Sequence, residues 1–272
     1  MSEIVSRPMA LVRLVGYVGW TLIMLPIQML AFYTWRRAAF AVPVLYHRGA
    51  CRMLGIRVER KGVPVPARPA LFVSNHSSYL DIHVLGALIN GSFVAKREVA
   101  TWPLFGLCAK LQRSVFVDRR RGTSAEQRDA IARRITAGDG LILFPEGTSN
   151  DGNRVLPFRS SLLSVAETSV DGRPLTVQPV SLAYARHSNM PMGRSLRAFY
   201  AWYGDMGLAD HLWRVLGLGP VTVVVRFHAP VTIADFVGRK GLAKHCQRVV
   251  GDGVIEALYG SPPAPQPHRA AA

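Results

Sequence analysis

Acidic residues are scarce in this chain: 17 Asp and Glu stand against 33 Lys and Arg in 272 residues, a formal net charge of +16. That deficit calls for an anionic partner, either a nucleic acid or a membrane surface. None of the usual nucleic-acid-binding patterns is present, so no nucleic-acid partner is expected. Cysteine is sparse too. Cys51, Cys108 and Cys246 form an odd set without CxxC or metal-like spacing, which excludes a disulfide framework and a cysteine zinc site and fits reduced packing residues in a cytosolic setting. No internal repeat is evident, so a solenoid is excluded.

Charge is missing altogether from one stretch. Leu14 to Trp35 contains no Asp, Glu, Lys or Arg and is about long enough to cross ~30 Å of hydrocarbon as a helix. Arg36, Arg37, Arg48 and Arg52 crowd its far end, against Arg7 and Arg13 before it. That bias sets the rest of the chain on the cytoplasmic face of the inner membrane. A removable signal peptide fits poorly, because the run exceeds a typical h-region and Arg36-Arg37 stands where cleavage should begin. Pro26 and a second apolar patch, Ala38 to Tyr46, leave two forms open: a spanning helix, or a bent hairpin in one leaflet.

The chain therefore divides into an N-terminal membrane-associated segment (1–55), a catalytic domain (56–260) and a Pro/Ala-rich tail (261–272) expected to be disordered. In the middle, short apolar runs at 70–74, 93–96, 114–117, 141–144, 177–182 and 221–227 read as strands, several lacking apolar/polar alternation. Segments 79–89, 102–111, 123–136 and 161–168 read as helices between them. An α/β fold follows, a mostly parallel sheet flanked by helices, with the N-terminal helix or helical hairpin appended. The aromatic-rich segment Ser195 to Gly217 reads as a packed cluster in preference to a membrane-surface patch.

Two strand ends carry chemistry. NHSSYLD (Asn75 to Asp81) and FPEGTSN (Phe144 to Asn150) each follow a strand directly, and sites in such sheets collect at the carboxyl edge. On an unbroken helix, His76 and Asp81 would point about 140° apart. If His76 lies in a turn and a helix starts near Ser77 or Ser78, with one of them as N-cap, Asp81 can reach back to the imidazole. A neutral imidazole oriented by a carboxylate is a general base. The same pattern also fits a turn histidine followed by an ordinary helix-start acid. A metal site from His76, Asp81 and His83 lacks a familiar zinc spacing, and no GxSxG elbow surrounds Ser77 or Ser78 to make either a hydrolase nucleophile.

Together the motifs resemble the glycerolipid acyltransferases: NHSSYLD their NHxxxxD block, FPEGTSN their FPEGT block, KREVATWPLFG (Lys96 to Gly106) with RSVFVDR (Arg113 to Arg119) their second block, and VQPVSLAY (Val177 to Tyr184) their fourth. The resemblance implies fatty acyl transfer from a thioester, on acyl carrier protein or coenzyme A, to a membrane lysolipid hydroxyl, with the thioester as cosubstrate and neither cofactor nor metal. It makes His76 the base and Asp81 its orienting partner. Gly147 and Thr148 become candidates for stabilising the developing oxyanion or binding the acceptor. Glu146 becomes an acceptor-binding or loop-fixing residue, with an internal ion pair to an arginine such as Arg113 as the other possibility. Lys96, Arg113, Arg119 and Arg159 are candidates for holding anionic groups.

Ser149 stands where many lysophosphatidate acyltransferases carry an arginine associated with the acceptor phosphate, and a serine cannot supply that charged fork. The run Glu146 to Leu163 resembles instead the lyso-ornithine lipid acyltransferases, whose acceptor amine could pair with Glu146 or Asp151. Lysophosphatidate stays open through Arg154 or Arg159. A non-catalytic lipid-binding protein is the reading from another class.

Overall fold

The computed structural model describes residues 5–66, 69–117 and 124–260. Arg119 and the tail lie outside them. Ser6 opens α1 (Arg7–Thr34), with Pro8 in the first turn where its missing N–H costs nothing. After Trp35 the chain reverses into α2 (Arg36–Met53). Ala10, Tyr17, Thr21, Met24, Gln28 and Ala31 bury one stripe of α1. The opposite stripe is apolar yet open, with Val12 71%, Leu22 60% and Leu30 66% exposed.

α1 packs against the rest of the protein along its length. At one end the Arg13 guanidinium donates to the carbonyls of Leu216 (3.2 Å) and Leu218 (2.6 Å), where a helix end favours a cation. At the other, Gln28 Nε2 donates to Ala39 O (3.1 Å) and Leu111 O (2.8 Å). Between them Trp20 lies so close over Gly49 that a Cβ there would sit 2.2 Å from the indole ring. The two helices form an antiparallel hairpin that only a glycine lets close.

Beyond the hairpin come β1 (Ile56–Lys61), β2 (Ala70–Ser74), α3 (Leu80–Gly86), β3 (Ser92–Lys96), α4 (Phe105–Leu111), β4 (Val115–Val117), α5 (Ser124–Thr136) and β5 (Gly140–Leu143). A two-stranded ribbon, β6 (Ser169–Val170) and β7 (Arg173–Pro174), precedes β8 (Thr176–His187), β9 (Met190–Pro191), α6 (Arg194–Ala198), α7 (Leu208–Gly217), β10 (Val221–Phe227) and α8 (Gly238–Tyr259). The main sheet runs β1-β10-β8-β2-β5-β3-β4, with β9 hydrogen-bonded to β8. Strands β8, β2, β5, β3 and β4 are mutually parallel, and β10 joins β8 antiparallel.

Strand β2 explains its own lack of alternation. Leu71 and Val73 enter a core layer with Ile131 and Ile135 of α5 and Leu242 and Val250 of α8. Ala70 and Phe72 face the other layer, with Leu80 and Val84 of α3 and Val215 of α7. Each large apolar side chain so buried contributes about 1.5–3 kcal/mol. Both faces are covered, so both must be apolar.

Three segments differ from expectation. Residues 161–168 form a 3-10 turn, Leu162–Glu167, closed by i to i+3 bonds such as Leu162 N to Arg159 O (3.0 Å). The helix expected from Trp102 starts only at Phe105, because Leu104 adopts a left-handed φ of 60°. The helix after NHSSYLD begins at Leu80 behind Tyr79, and neither Ser77 nor Ser78 serves as its N-cap.

Candidate active site

Strands β2 and β5 are parallel neighbours in the register Val73 to Leu143, so NHSSYLD and FPEGTSN leave the sheet side by side at one edge. Asn75 fixes the exit: its amide donates to Leu182 O (2.8 Å) and accepts from Leu182 N (2.9 Å), extending the pairing with β8 by a side chain. His76 then turns out of the sheet. Its ring stacks on Phe144, centroids 4.1 Å apart and planes at 17°, and its Nδ1 lies 2.9 Å from Asp81 Oδ2.

Asp81 is fully buried and does the capping that the serines do not. Its Oδ2 accepts from the N–H groups of Ser77 (2.7 Å) and Ser78 (3.0 Å) as well as from His76, while Oδ1 accepts from the Tyr184 hydroxyl (2.7 Å). Four donors therefore converge on one carboxylate. Burial, then the neighbouring Asp81, raises the Tyr184 hydroxyl well above the usual tyrosine range and keeps it a donor. A carboxylate only accepts, so Nδ1 carries the imidazole proton and Nε2 is left basic.

Glu146 ties the two motifs together. Its Oε1 accepts from His76 N (3.3 Å) and its Oε2 from Asn150 Nδ2 (2.7 Å), while Asn150 N and Nδ2 each reach His76 O at 3.3 Å. The side chain is buried. Burial pushes its carboxyl up to about 8, opposed by the hydrogen bonds from Asn150 and the backbone. The ion pair with Arg113 does not form, since that guanidinium meets Asp139 (3.4 Å) and lies over the Phe40 ring (4.5 Å).

A cavity of about 360 Å³ opens beside His76. Phe93, Phe144, Gly147, Thr148 and Ser149 line it near the motifs, and Met24, Leu25 and Val42 of the hairpin line it further in. A seam of hydrogen bonds joins its helices: Tyr17 to His83 (3.2 Å), His83 to His47 (3.0 Å) and His47 to Gln112 (3.0 Å). The wall is thus mostly apolar, with its polar groups satisfied among themselves.

The remaining candidates separate. Lys96 lines the cavity. Arg159 packs its guanidinium over Gly147, whose left-handed φ of 73° suits glycine. Arg113 is not a lining residue, which removes it from anion binding at this site. Asp151 is not one either, its Oδ2 accepting from Asn153 Nδ2 (3.1 Å). The Gly147 N–H is engaged with Phe144 O (3.1 Å), so it closes the turn and is not an oxyanion donor, whereas the exposed Thr148 keeps its place in the lining. The Ser149 hydroxyl donates to Trp202 O (2.6 Å). Sequence reasoning does not reach Tyr184, Phe144 and Trp202 as site residues; only Tyr184, closing the fourth block, carries a sequence signal.

An acyltransferase family model matches residues 56–183. The lyso-ornithine lipid O-acyltransferase of Brucella abortus is 43% identical over 230 residues, 83% of this chain and 85% of that protein. A 1-acyl-sn-glycerol-3-phosphate acyltransferase of Neisseria gonorrhoeae is 31% identical over 191 residues, 69% of each chain. The crystal structure of the 1-acyl-sn-glycerophosphate acyltransferase PlsC from Thermotoga maritima superposes with a TM-score of 0.60 at 22% identity, covering 90% of this chain and 97% of that one.

Proposed function

We propose, from the premise that this chain belongs to the acyltransferase family, that it acylates the free hydroxyl of lyso-ornithine lipid to give ornithine lipid. The observation that carries the chemistry is the histidine: Nδ1 held by Asp81 at 2.9 Å, on a ring that lines an apolar cavity. In this reading the acyl chain of the thioester lies in the cavity between the hairpin and α4. His76 Nε2 takes the proton from the lipid hydroxyl as its oxygen attacks the thioester carbonyl carbon. The resulting oxyanion collapses, the carbon–sulfur bond breaks, and the thiolate leaves with the proton from the imidazolium. Asp81 stabilises that transient imidazolium, and base catalysis of this kind contributes about 10² to 10⁴ in rate. The donor is an acyl carrier protein or coenzyme A thioester.

The acceptor assignment rests on position 149. Its hydroxyl is engaged with the Trp202 backbone, and a serine offers no guanidinium to a phosphate. A second reading, lysophosphatidate as acceptor, is favoured by one observation: the Arg159 guanidinium lies against Gly147. The apolar outer stripe of α1, combined with packing of its inner stripe along the domain, supports a hairpin embedded in the cytoplasmic leaflet of the inner membrane over a full crossing.

The test offers membranes holding the protein a labelled acyl carrier protein thioester with lyso-ornithine lipid or lysophosphatidate, His76→Ala serving as the blank. Label in ornithine lipid, absent from the blank, is expected. Label in phosphatidate alone would overturn the acceptor assignment, and equal label in the blank would overturn the base.

A further inference from the structure

The proton transfer leaves one part of the cavity lining without a role. Among its lining residues Lys96 and Glu98 are the Lys, Arg, Asp and Glu side chains, and Trp102 and Trp202 join them. Glu98 and Trp102 belong together, because Glu98 lies in the 3-10 turn Arg97–Thr101 that Trp102 directly follows.

Trp202 is fixed with unusual completeness. Its N–H donates to Ser77 O (2.8 Å), beside His76, and its carbonyl accepts the Ser149 hydroxyl (2.6 Å), so both motifs hold its main chain. Its indole N–H donates to Met206 O (2.9 Å). With that donor engaged, what the ring can still offer a ligand is its π surface. The ring meets Trp102 edge to face, centroids 6.2 Å apart at 89°, and Tyr79 at 5.8 Å and 74°. Aromatic faces backed by a carboxylate are the chemistry that recognises an ammonium group.

We infer that Trp202 and Trp102, with the Glu98 carboxylate, form a subsite for the ammonium group of the acceptor's head. The inference rests on the lyso-ornithine reading, because ornithine carries a side-chain ammonium and lysophosphatidate has none. It also replaces the two carboxylates that the sequence offers for this amine. Glu146 has both oxygens engaged inside the protein, and Asp151 does not line the cavity. The serine at 149 then has a positive role: it anchors the aromatic ring that reads the amine.

The experiment compares two acceptors on the purified full chain in mixed micelles: lyso-ornithine lipid and its δ-N-acetyl derivative, which keeps the reacting hydroxyl and loses the charge. The wild type is expected to favour the amine about tenfold in kcat/KM, which is ~1.4 kcal/mol. Trp202→Leu and Glu98→Gln should each bring the ratio to within about threefold, and Trp202→Phe should retain most of it. The ratio is internal to each variant, so loss of folded protein lowers both rates and leaves it unchanged. Equal use of the two acceptors by the wild type would overturn this inference and leave the proposed function standing. A wild-type preference that survives both Trp202→Leu and Glu98→Gln would do the same. No turnover of lyso-ornithine lipid would overturn the proposed function, and this inference with it.

Discussion

Asp81→Asn separates charge from geometry at the reaction centre. In the wild type three donors point at Oδ2 and one, the Tyr184 hydroxyl, at Oδ1. An asparagine can keep that pattern by placing its oxygen toward Ser77, Ser78 and His76 and its amide toward Tyr184, whose hydroxyl also accepts. The imidazole tautomer and the turn are then preserved, and what is lost is the negative charge facing the imidazolium. At an N···O separation of 2.9 Å, a partly buried pair at an effective dielectric of ~20 interacts by roughly 4–6 kcal/mol. His76 is 22% exposed, so water recovers part of that. A loss of ~3–4 kcal/mol from the transition state, or about 10² to 10³ in kcat, is expected. Single-turnover acyl transfer measures the rate, and thermal unfolding monitors the fold, which should shift by only a few degrees (~1 kcal/mol). A variant that keeps more than a third of the wild-type rate with an unchanged fold would refute the assignment of Asp81 as the group that stabilises the imidazolium.

The same geometry gives further outcomes. Tyr184→Phe removes a buried donor to a carboxylate and should cost about 1.5–3 kcal/mol of stability by urea unfolding; an unchanged midpoint would rule out that hydrogen bond. Ser149→Arg should raise the use of lysophosphatidate relative to lyso-ornithine lipid in paired acyl-transfer assays, and a fixed ratio would place selectivity elsewhere. For pH, Glu146 is pushed up to about 8 by burial, so the folded protein holds a proton that the unfolded chain releases from about 4.5. Stability therefore falls as pH rises through that window, by on the order of a few kcal/mol. His228, pushed down to about 4, and His83, also lowered, both chiefly by burial, act oppositely. Their contribution is present above ~6.5 and lost as pH falls. Melting temperatures from pH 5 to 9 should lose the alkaline slope in Glu146→Gln; an identical slope would show that another group titrates. Leu22→Glu with Leu30→Glu puts two charges on the open stripe of α1, each costing up to ~2.5–3.5 kcal/mol in hydrocarbon. Flotation should find the double variant largely off liposomes, and full retention would mean that the stripe is not the membrane face.

Much is written in the sequence because it is local. The charge-free run Leu14 to Trp35 predicts a long apolar helix by composition alone, and α1 contains all of it but Trp35. Strands such as β2 announce themselves by unbroken apolar runs, since burial on both faces leaves no polar alternation to preserve. The NHSSYLD and FPEGTSN motifs fix residue types at short spacing, so their chemistry is legible before any fold. Less local features are not. Strand β1 reads as charged and irregular, yet pairs with β10 along its length. Helix α8 carries Gly251 and Gly253, poor helix formers, the second lying so close to Ser181 that a Cβ would sit 2.4 Å away. Partners far along the chain decide the rest: Tyr184 reaches Asp81 across 103 positions, and Ser149 holds Trp202 across 53. One sequence records which side chains a protein has within a turn of each other; which carboxylates are engaged and which line the cavity depends on strand order and loop closure. That is why the sequence offers the acceptor's amine Glu146 or Asp151, and why the folded chain points instead to Glu98 and the tryptophans.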